Sequence, residues 1–370
     1  MCCTNQFVLR ELPAYATDYP PFTVKPIAVP LMDMAIQTES LTKLYSQRVI
    51  AVNDMTLQVP TGAVYGLLGP NGAGKTTTLK LLLGLQRASA GWAEVFGRRC
   101  GPNATDVRAL IGYLPTHPTL PGHLCAIEYL ELLGKLCRLP RQVRKPRLSS
   151  LLRAVGLLGA THQRIGTFST GMRTRLGIAA SLLADPPLLI WDEPTAGLDP
   201  SARRFTLDLI RELAKSRTVM VATHILSDID QICDHVGVMQ EGRMIFSGSM
   251  REMKQRLQRD DFCLELDGEP EAIRQLAEQL APIPGISACR CEGQSIVVDV
   301  LDQHNRAGVL ADVLKRVESS PLSLLAIRST QSDTEFAYLQ LLQEDNQHGF
   351  RRFNLKATSG EHAAVGDSVV

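Results

Sequence analysis

From Ala35 to about Leu257, short β-rich apolar runs alternate with longer stretches of helical period. Val49–Val59 and Ala63–Leu68 predict strands, and Lys75–Leu85 predicts a helix. Leu188–Trp191 and Thr218–Ala222 are short and largely apolar, the pattern of strands buried on both faces. Between them Asp199 and Pro200 supply an N-cap and a first helical residue, with Phe205, Leu209, Ile210 and Leu213 on one helical face. Such alternation predicts an α/β domain, a largely parallel sheet with helices on its faces.

After Leu257 the pattern changes. Phe262–Leu266 predicts a strand and Glu271–Leu280 a helix. A hairpin follows, Ser287–Cys291 and Ser295–Val300 turning at Glu292-Gly293. Then come a helix at Ala307–Val317, a strand at Leu322–Arg328 and a helix at Thr334–Gln343. The βαββαβ order predicts a small ferredoxin-like α+β domain over 258–345. Residues 1–34 read as a flexible extension, with five prolines and no sustained period, and Met32 and Met34 stand as alternative starts. Residues 346–370 are polar and small and read as a flexible tail.

Composition narrows the class without naming a chemistry. The 370 residues are 45% hydrophobic and 21% charged, an ordinary globular mix. A net charge of +1 removes the whole-molecule case for a nucleic-acid partner. No run of ~20 apolar residues is present, since Ile178–Trp191 is cut by Asp185 and Pro186-Pro187, so no bilayer crossing is expected. No signal peptide is legible. Cys2 in place of glycine excludes N-myristoylation. Nine cysteines without a C-x-x-C pair predict reduced thiols rather than a disulfide framework or a zinc site.

The strongest chemical signal is Gly69-Pro70-Asn71-Gly72-Ala73-Gly74-Lys75-Thr76, which fits G-x-x-x-x-G-K-[ST] in full. It lies between a strand at Val64–Leu68 and a helix at Thr77–Leu83, the context a phosphate loop needs. Glycines let backbone N–H groups close on phosphate oxygens, and the helix N-terminus adds a favourable dipole. Lys75 is suited to β/γ-phosphate charge and Thr76 to Mg²⁺. The strand Leu188–Asp192 ends in two acids. Asp192 is placed to hold Mg²⁺, directly or through water, and Glu193 to polarise an attacking water as general base. Two acids after a strand, taken alone, mark a solvated loop; beside a phosphate loop the metal-and-base reading is favoured. Thr218–Ala222 ends in Thr223-His224, which fits a γ-phosphate contact by His224.

Together these residues resemble the nucleotide-binding subunit of ATP-binding cassette (ABC) transporters, over about residues 35–257. Gly69–Thr76 resembles the Walker A loop, Leu188–Asp192 the Walker B strand and Glu193 the catalytic glutamate. Phe168-Ser169-Thr170-Gly171-Met172 stands where the family signature reads Leu-Ser-Gly-Gly-Gln. Ala196–Asp199 matches the D-loop, His224 the switch histidine and Tyr45 the aromatic that stacks on adenine. The resemblance implies a P-loop NTPase cassette with a mixed sheet and a helical subdomain at about 117–170. It implies ATP and Mg²⁺ as ligands, with Gly69 to Gly74, Lys75, Thr76 and Thr77 around the phosphates. It also implies a second nucleotide-binding subunit, identical or related, whose nucleotide Ser169 and Gly171 would meet, and a place for Asp199 at that interface. The remaining expected partners are separate-chain transmembrane permease subunits, which would hold this chain at the cytoplasmic face of the cell membrane.

Two departures stand out. Thr170 and Met172 depart from the signature in a way familiar from the export branch. Thr116, in Ile111-Gly-Tyr-Leu-Pro-Thr116, occupies the position of a Gln that contacts Mg²⁺; Thr keeps an oxygen donor but is shorter, so either water bridges the gap or coupling to the membrane partner is weaker. Helix Cys125–Cys137 offers an apolar face at Ile127, Leu130, Leu133 and Leu136. The basic run Arg138, Arg141, Arg144, Lys145, Arg147 reads as a solvated face, with lipid headgroups as the rival. The expected function is an energy-coupling ATPase of an export complex, with a soluble regulatory ABC ATPase as the alternative. A two-cassette ribosomal factor and a coiled-coil DNA-repair ATPase are disfavoured. The chain reads as one cassette, and the stretch from Lys75 to Ser169 is too short for a coiled coil.

Overall fold

The structure is a computed structural model describing residues 32–45, 49–256, 262–301, 306–329 and 338. Residues 1–31 of the expected extension, the expected tail at 346–370 and, Tyr338 apart, the expected helix Thr334–Gln343 lie outside the described residues. The chain divides into two compact units, residues 1–250 and 251–370, a division a few residues before the change of pattern.

The first unit opens with β1 (Met34–Tyr45), β2 (Val49–Pro60), β3 (Val64–Leu68), α1 (Lys75–Leu82), β4 (Ala90–Val95), β5 (Arg98–Arg99), α2 (Thr105–Arg108) and β6 (Ile111–Leu114). It continues with α3 (Ala126–Leu136), α4 (Arg141–Ala154), α5 (Thr170–Leu182), β7 (Leu188–Asp192), α6 (Pro200–Ala214), β8 (Thr218–Thr223), α7 (Leu226–Ile232), β9 (His235–Gln240) and β10 (Arg243–Ser249). A short helix, α8 (Met250–Arg256), follows in the chain.

Six strands in the order β10-β9-β3-β8-β7-β6 form one sheet, parallel except for β10. Every residue of β3, β7 and β8 is buried, which is why their sequences are apolar without alternation. In register, Leu68 pairs with Thr223 and Asp192 with Ala222. Three strands therefore end side by side, and the loops leaving them share one edge of the sheet. That edge is where ligands bind in open α/β sheets.

A second sheet, β2-β1-β4-β5, is antiparallel and is not foreseen by the alternating pattern. β1 is hard to read because polar residues interrupt it, its register with β2 shifts repeatedly, and Ser40 adopts φ 48°. Helix α1 packs between the sheets, where Leu79 and Leu82 share one core with Leu57, Val59 and Val95 on one side and Leu67, Ile190 and Met220 on the other. Each fully buried apolar side chain of that size contributes ~1.5–3 kcal/mol relative to exposure. The glycine-rich loop before α1 is thus anchored through that helix to both layers.

The region between β6 and β7 is helical, and its details correct one expectation, that of the basic run. On α3 the buried line is Ala126, Leu130 and Gly134, whereas Ile127 and Leu133 are half-buried and Leu136 is 69% exposed. The Arg144 stem lies over Gly134, so close that a Cβ there would fall 2.5 Å from its Cδ. The basic run is not a uniform solvated face. Arg144 is buried and pairs with Glu131 at 2.8 Å, and buried Arg147 pairs with Asp185 at 3.1 Å while donating to the Leu182 carbonyl. These two arginines hold α4 to α3 and to the turn before β7.

The second unit contains β11 (Phe262–Asp267), α9 (Pro270–Leu280), β12 (Ile286–Glu292), β13 (Ser295–Val300), α10 (Arg306–Glu318) and β14 (Ser323–Ser329). Its sheet order is β12-β13-β11-β14, antiparallel throughout. With βαββαβ connectivity this is the ferredoxin-like arrangement. Phe262, Leu264, Ile296 and Val298 point to the side covered by Ile273, Leu276 and Leu280 of α9 and Val309 and Val313 of α10. Alternation on the strands and helical period on α9 build this core as the sequence predicts.

Candidate functional site: a phosphate loop and a carboxylate cluster at the sheet edge

The loop after β3 is backbone packed on backbone. Gly74 takes φ 103° immediately before α1, and a Cβ there would lie 2.3 Å from the Ala51 carbonyl oxygen. At Gly69 a Cβ would lie 2.5 Å from the Met239 carbonyl. Only glycine fits both places, for conformation at one and for space at both. Pro70, Asn71 and Gly72 are exposed at the rim, Ala73 is buried, and Thr77 is half-buried in the first turn of α1. Lys75 folds back beneath the loop. Its ammonium donates to the carbonyls of Gly69 at 2.6 Å and Pro70 at 3.2 Å, and stands 3.8 Å from Oε1 of Glu193. Burial pulls its pKa below the usual lysine value, against the opposing charges of Glu193 and Asp192.

Thr76 donates its hydroxyl to Oδ2 of Asp192 at 2.9 Å. Asp192 is 1% exposed, and its Oδ1 is buried without a hydrogen-bond partner. Burial raises its pKa; the Thr76 and Thr116 hydroxyls oppose the rise, and the charge of Glu193 adds to it. Thr116 thus stands beside this carboxylate but closes no well-formed bond on Oδ1. Among the described residues no group of three or more His, Cys, Asp or Glu gathers for a metal. An orphaned carboxylate oxygen beside a threonine hydroxyl is nonetheless a donor set that suits Mg²⁺, a hard cation that takes oxygen ligands and keeps several waters.

Glu193 is held from three directions. Oε2 accepts from the Thr223 hydroxyl at 2.9 Å, while Oε1 accepts from the His224 backbone N–H at 3.1 Å and lies 2.9 Å from its Nδ1. Its backbone adopts φ 51°, a region that costs a non-glycine residue of order 1–2 kcal/mol. The chain turns sharply off β7 there, so the carboxylate faces β8 instead of continuing outward. His224 itself is half-exposed, with 46% of its side chain open.

Lys75, Thr76, Thr116, Asp192, Glu193 and His224 therefore form one linked cluster. The remaining predicted residues lie elsewhere on the unit. Ser169 caps α5, its hydroxyl accepting from Met172 N–H at 3.2 Å. Asp199 caps α6 by accepting from Ala202 N–H at 2.9 Å. The two caps are neighbours, since a Cβ at Gly171 would lie 3.8 Å from both Ala202 Cβ and Leu198 Cδ2. Tyr45 ends β1, with its hydroxyl on Gln86 Oε1 and the Lys43 ammonium 5.1 Å over its ring.

The family model for ABC transporters matches residues 52–196. The uncharacterized ABC transporter ATP-binding protein YxlF of Bacillus subtilis (strain 168) is 37% identical over 76% of this chain and 92% of its own length. The chain belongs to the ABC transporter ATP-binding proteins. The Nod factor export ATP-binding protein I of Cupriavidus pinatubonensis (strain JMP 134 / LMG 1197) is 36% identical over 61% of this chain and 70% of its own length. A solved structure of the ATP-binding subunit of an ABC transporter superposes with a TM-score of 0.56 at 30% identity, over 60% of this chain and 92% of that one. As an ABC transporter ATP-binding protein the chain is an ATPase and a subunit of a transport complex. No helix among the described residues is long and apolar enough to cross a membrane.

Within this ABC protein, sequence reasoning gave no role to Thr223. It precedes the histidine at the end of an apolar strand, and nothing in the local spacing marks its partner. It is fully buried, and its hydroxyl both serves Glu193 and accepts from Ile225 N–H at 3.0 Å.

Proposed function

We propose that this ATP-binding protein is the energy-coupling ATPase of an export complex, acting at the cytoplasmic face of the cell membrane through separate permease chains. The observation that carries the reading is the Thr76–Asp192 bond of 2.9 Å beside a Glu193 that Thr223 and His224 hold in place. The N–H groups of Gly69, Pro70's neighbours Asn71 and Gly72, Ala73 and Gly74 cradle the nucleotide phosphates, with Lys75, Thr76 and Thr77 at the helix start. Tyr45 stacks on the adenine. Thr76 and Asp192 would hold Mg²⁺, with Thr116 beside them; when bound, the ion would neutralise phosphate charge.

Glu193 accepts the proton of the attacking water, the water oxygen bonds to the γ-phosphorus, and the bond to the bridging oxygen of ADP breaks. Three donors already fix its carboxylate and leave one of about four acceptor sites for that water. With Nδ1–H of His224 committed to Glu193, Nε2 is the nitrogen left for the γ-phosphate, and it donates there when both ring nitrogens carry protons. Ser169 and Gly171, at the start of α5, face the nucleotide of a second cassette, identical or related, with Asp199 at the same interface. The N-terminal dipole of α5 favours the phosphate there. The direction of transport rests on the Thr170/Met172 signature, on Thr116 and on the kinship with a Nod factor export protein.

Glu193→Gln should bind ATP yet nearly abolish turnover, and unchanged turnover would refute the general-base assignment. Purification of the tagged chain from membranes should bring down an integral membrane protein of about six spans. Repeated recovery without one would favour the soluble regulatory alternative.

A further inference from the structure

We infer that Asp228 is a positioning residue for hydrolysis, tying the loop that follows Glu193 to the helix that follows His224. This rests on the reading of Glu193 and His224 given above. Asp228 sits in the first turn of α7 and is 1% exposed, yet it touches none of the reacting groups. Both its oxygens are used. Oδ2 accepts from the Thr195 hydroxyl, and Oδ1 accepts from Arg203 Nε at 2.7 Å and Nη2 at 2.6 Å. Arg203 Nη2 also donates to Ser227 Oγ at 2.6 Å.

The three segments that meet here each carry a residue of the proposed site. Thr195 lies two residues after Glu193 and is itself buried. Arg203 belongs to α6, which Asp199 caps. Asp228 follows His224 by four residues. The loop 193–199 is therefore held between two anchors, Glu193 on Thr223 and His224 at one end and Thr195 on Asp228 further along. Its own turns, Ala196 N–H to the Glu193 carbonyl at 3.2 Å and Leu198 N–H to the Thr195 carbonyl at 3.3 Å, link the anchors. Glu193 at φ 51° is in a conformation a glutamate leaves readily unless its surroundings impose it. The Thr195–Asp228 anchor imposes it from the far side, and Arg203 passes the same constraint to the helix that Asp199 starts. None of these groups belongs to the phosphate loop, so they bear on turnover rather than on nucleotide affinity.

The test uses the full chain, with MgATP turnover and binding of a fluorescent ATP analogue measured together. Asp228→Asn should lower kcat about tenfold or more while the dissociation constant stays within about twofold, the split expected of a residue that serves the transition state. Thr195→Val, which removes one hydroxyl at nearly constant volume, should act in the same direction. The double variant should be no slower than Asp228→Asn alone, because the two share one interaction. Unchanged kcat in Asp228→Asn, a parallel loss of kcat and binding, or additive losses in the double variant would overturn the inference. If Asp228→Asn does not fold, Thr195→Val decides alone: a fall in kcat with binding kept supports the inference, and unchanged kcat overturns it. Glu193→Gln run alongside separates the two readings. Retained turnover there removes the site assignment, whereas loss there with a fully active Asp228→Asn removes only the positioning role.

Discussion

The Thr223 hydroxyl donates to Oε2 of Glu193 at 2.9 Å across the ends of two adjacent buried strands. β7 supplies the carboxylate and β8 the donor, so the parallel pairing of these strands is what aims the acid. Thr223→Val keeps the shape but leaves Oε2 and the Ile225 N–H without their partner. The expected cost is about 1–3 kcal/mol of stability from unsatisfied buried groups. Turnover should fall with little change in ATP affinity, read by thermal melting, ATPase assay and nucleotide titration.

Gly74→Ala should be far more damaging than its size suggests. The new Cβ meets the Ala51 carbonyl at 2.3 Å, in a backbone region with φ 103°. Strain of about 1–3 kcal/mol from the backbone alone, with the clash added, should distort the loop and abolish nucleotide binding. Titration with ATP checks this, and a variant that still binds at the parental affinity would contradict the loop geometry.

Asp192→Asn should stabilise the nucleotide-free protein near neutral pH while removing its response to Mg²⁺. The folded-state pKa of Asp192 is raised, chiefly by burial, so its ionised form is the penalised one. For a raised carboxylate the penalty is complete above the folded pKa and is relieved as pH falls through it toward the unfolded value. The gain of the variant should thus shrink toward zero in acid. Denaturant melts at several pH values measure it, and a gain that grows on acidification would refute the assignment.

The basic run offers a contrast within one helix. Arg147→Ala should cost about 3–5 kcal/mol, as expected when one partner of a buried ion pair is removed, softened because Asp185 keeps Arg217 at 3.2 Å. Lys145→Ala on the exposed side should stay within about 0.5 kcal/mol. Equal melting behaviour of the two would show that the buried pairing contributes nothing.

What the chain discloses unaided follows its physics. β3, β7 and β8 are buried on both faces, so their apolar runs stand out, and the polar groups that end them mark the site. β1 hides because its bulges break the alternation that would betray it. Charge in the sequence does not say which arginines are solvated, and Arg144 and Arg147 are buried in ion pairs. Thr223 and Asp228 escaped notice for a related reason. Each acts by a hydrogen bond to a residue distant in the chain, and no local spacing encodes such a partner.

Lys75 has a consequence for how nucleotide enters. With 6% of its surface exposed and its ammonium on two loop carbonyls, it gave up most of its hydration shell when the chain folded. On the proposed reading, an arriving phosphate would exchange oxygen for oxygen around a cation that is already dry. Little solvent has to reorganise at that point, and the loop meets its ligand in nearly the electrostatic state it keeps once filled.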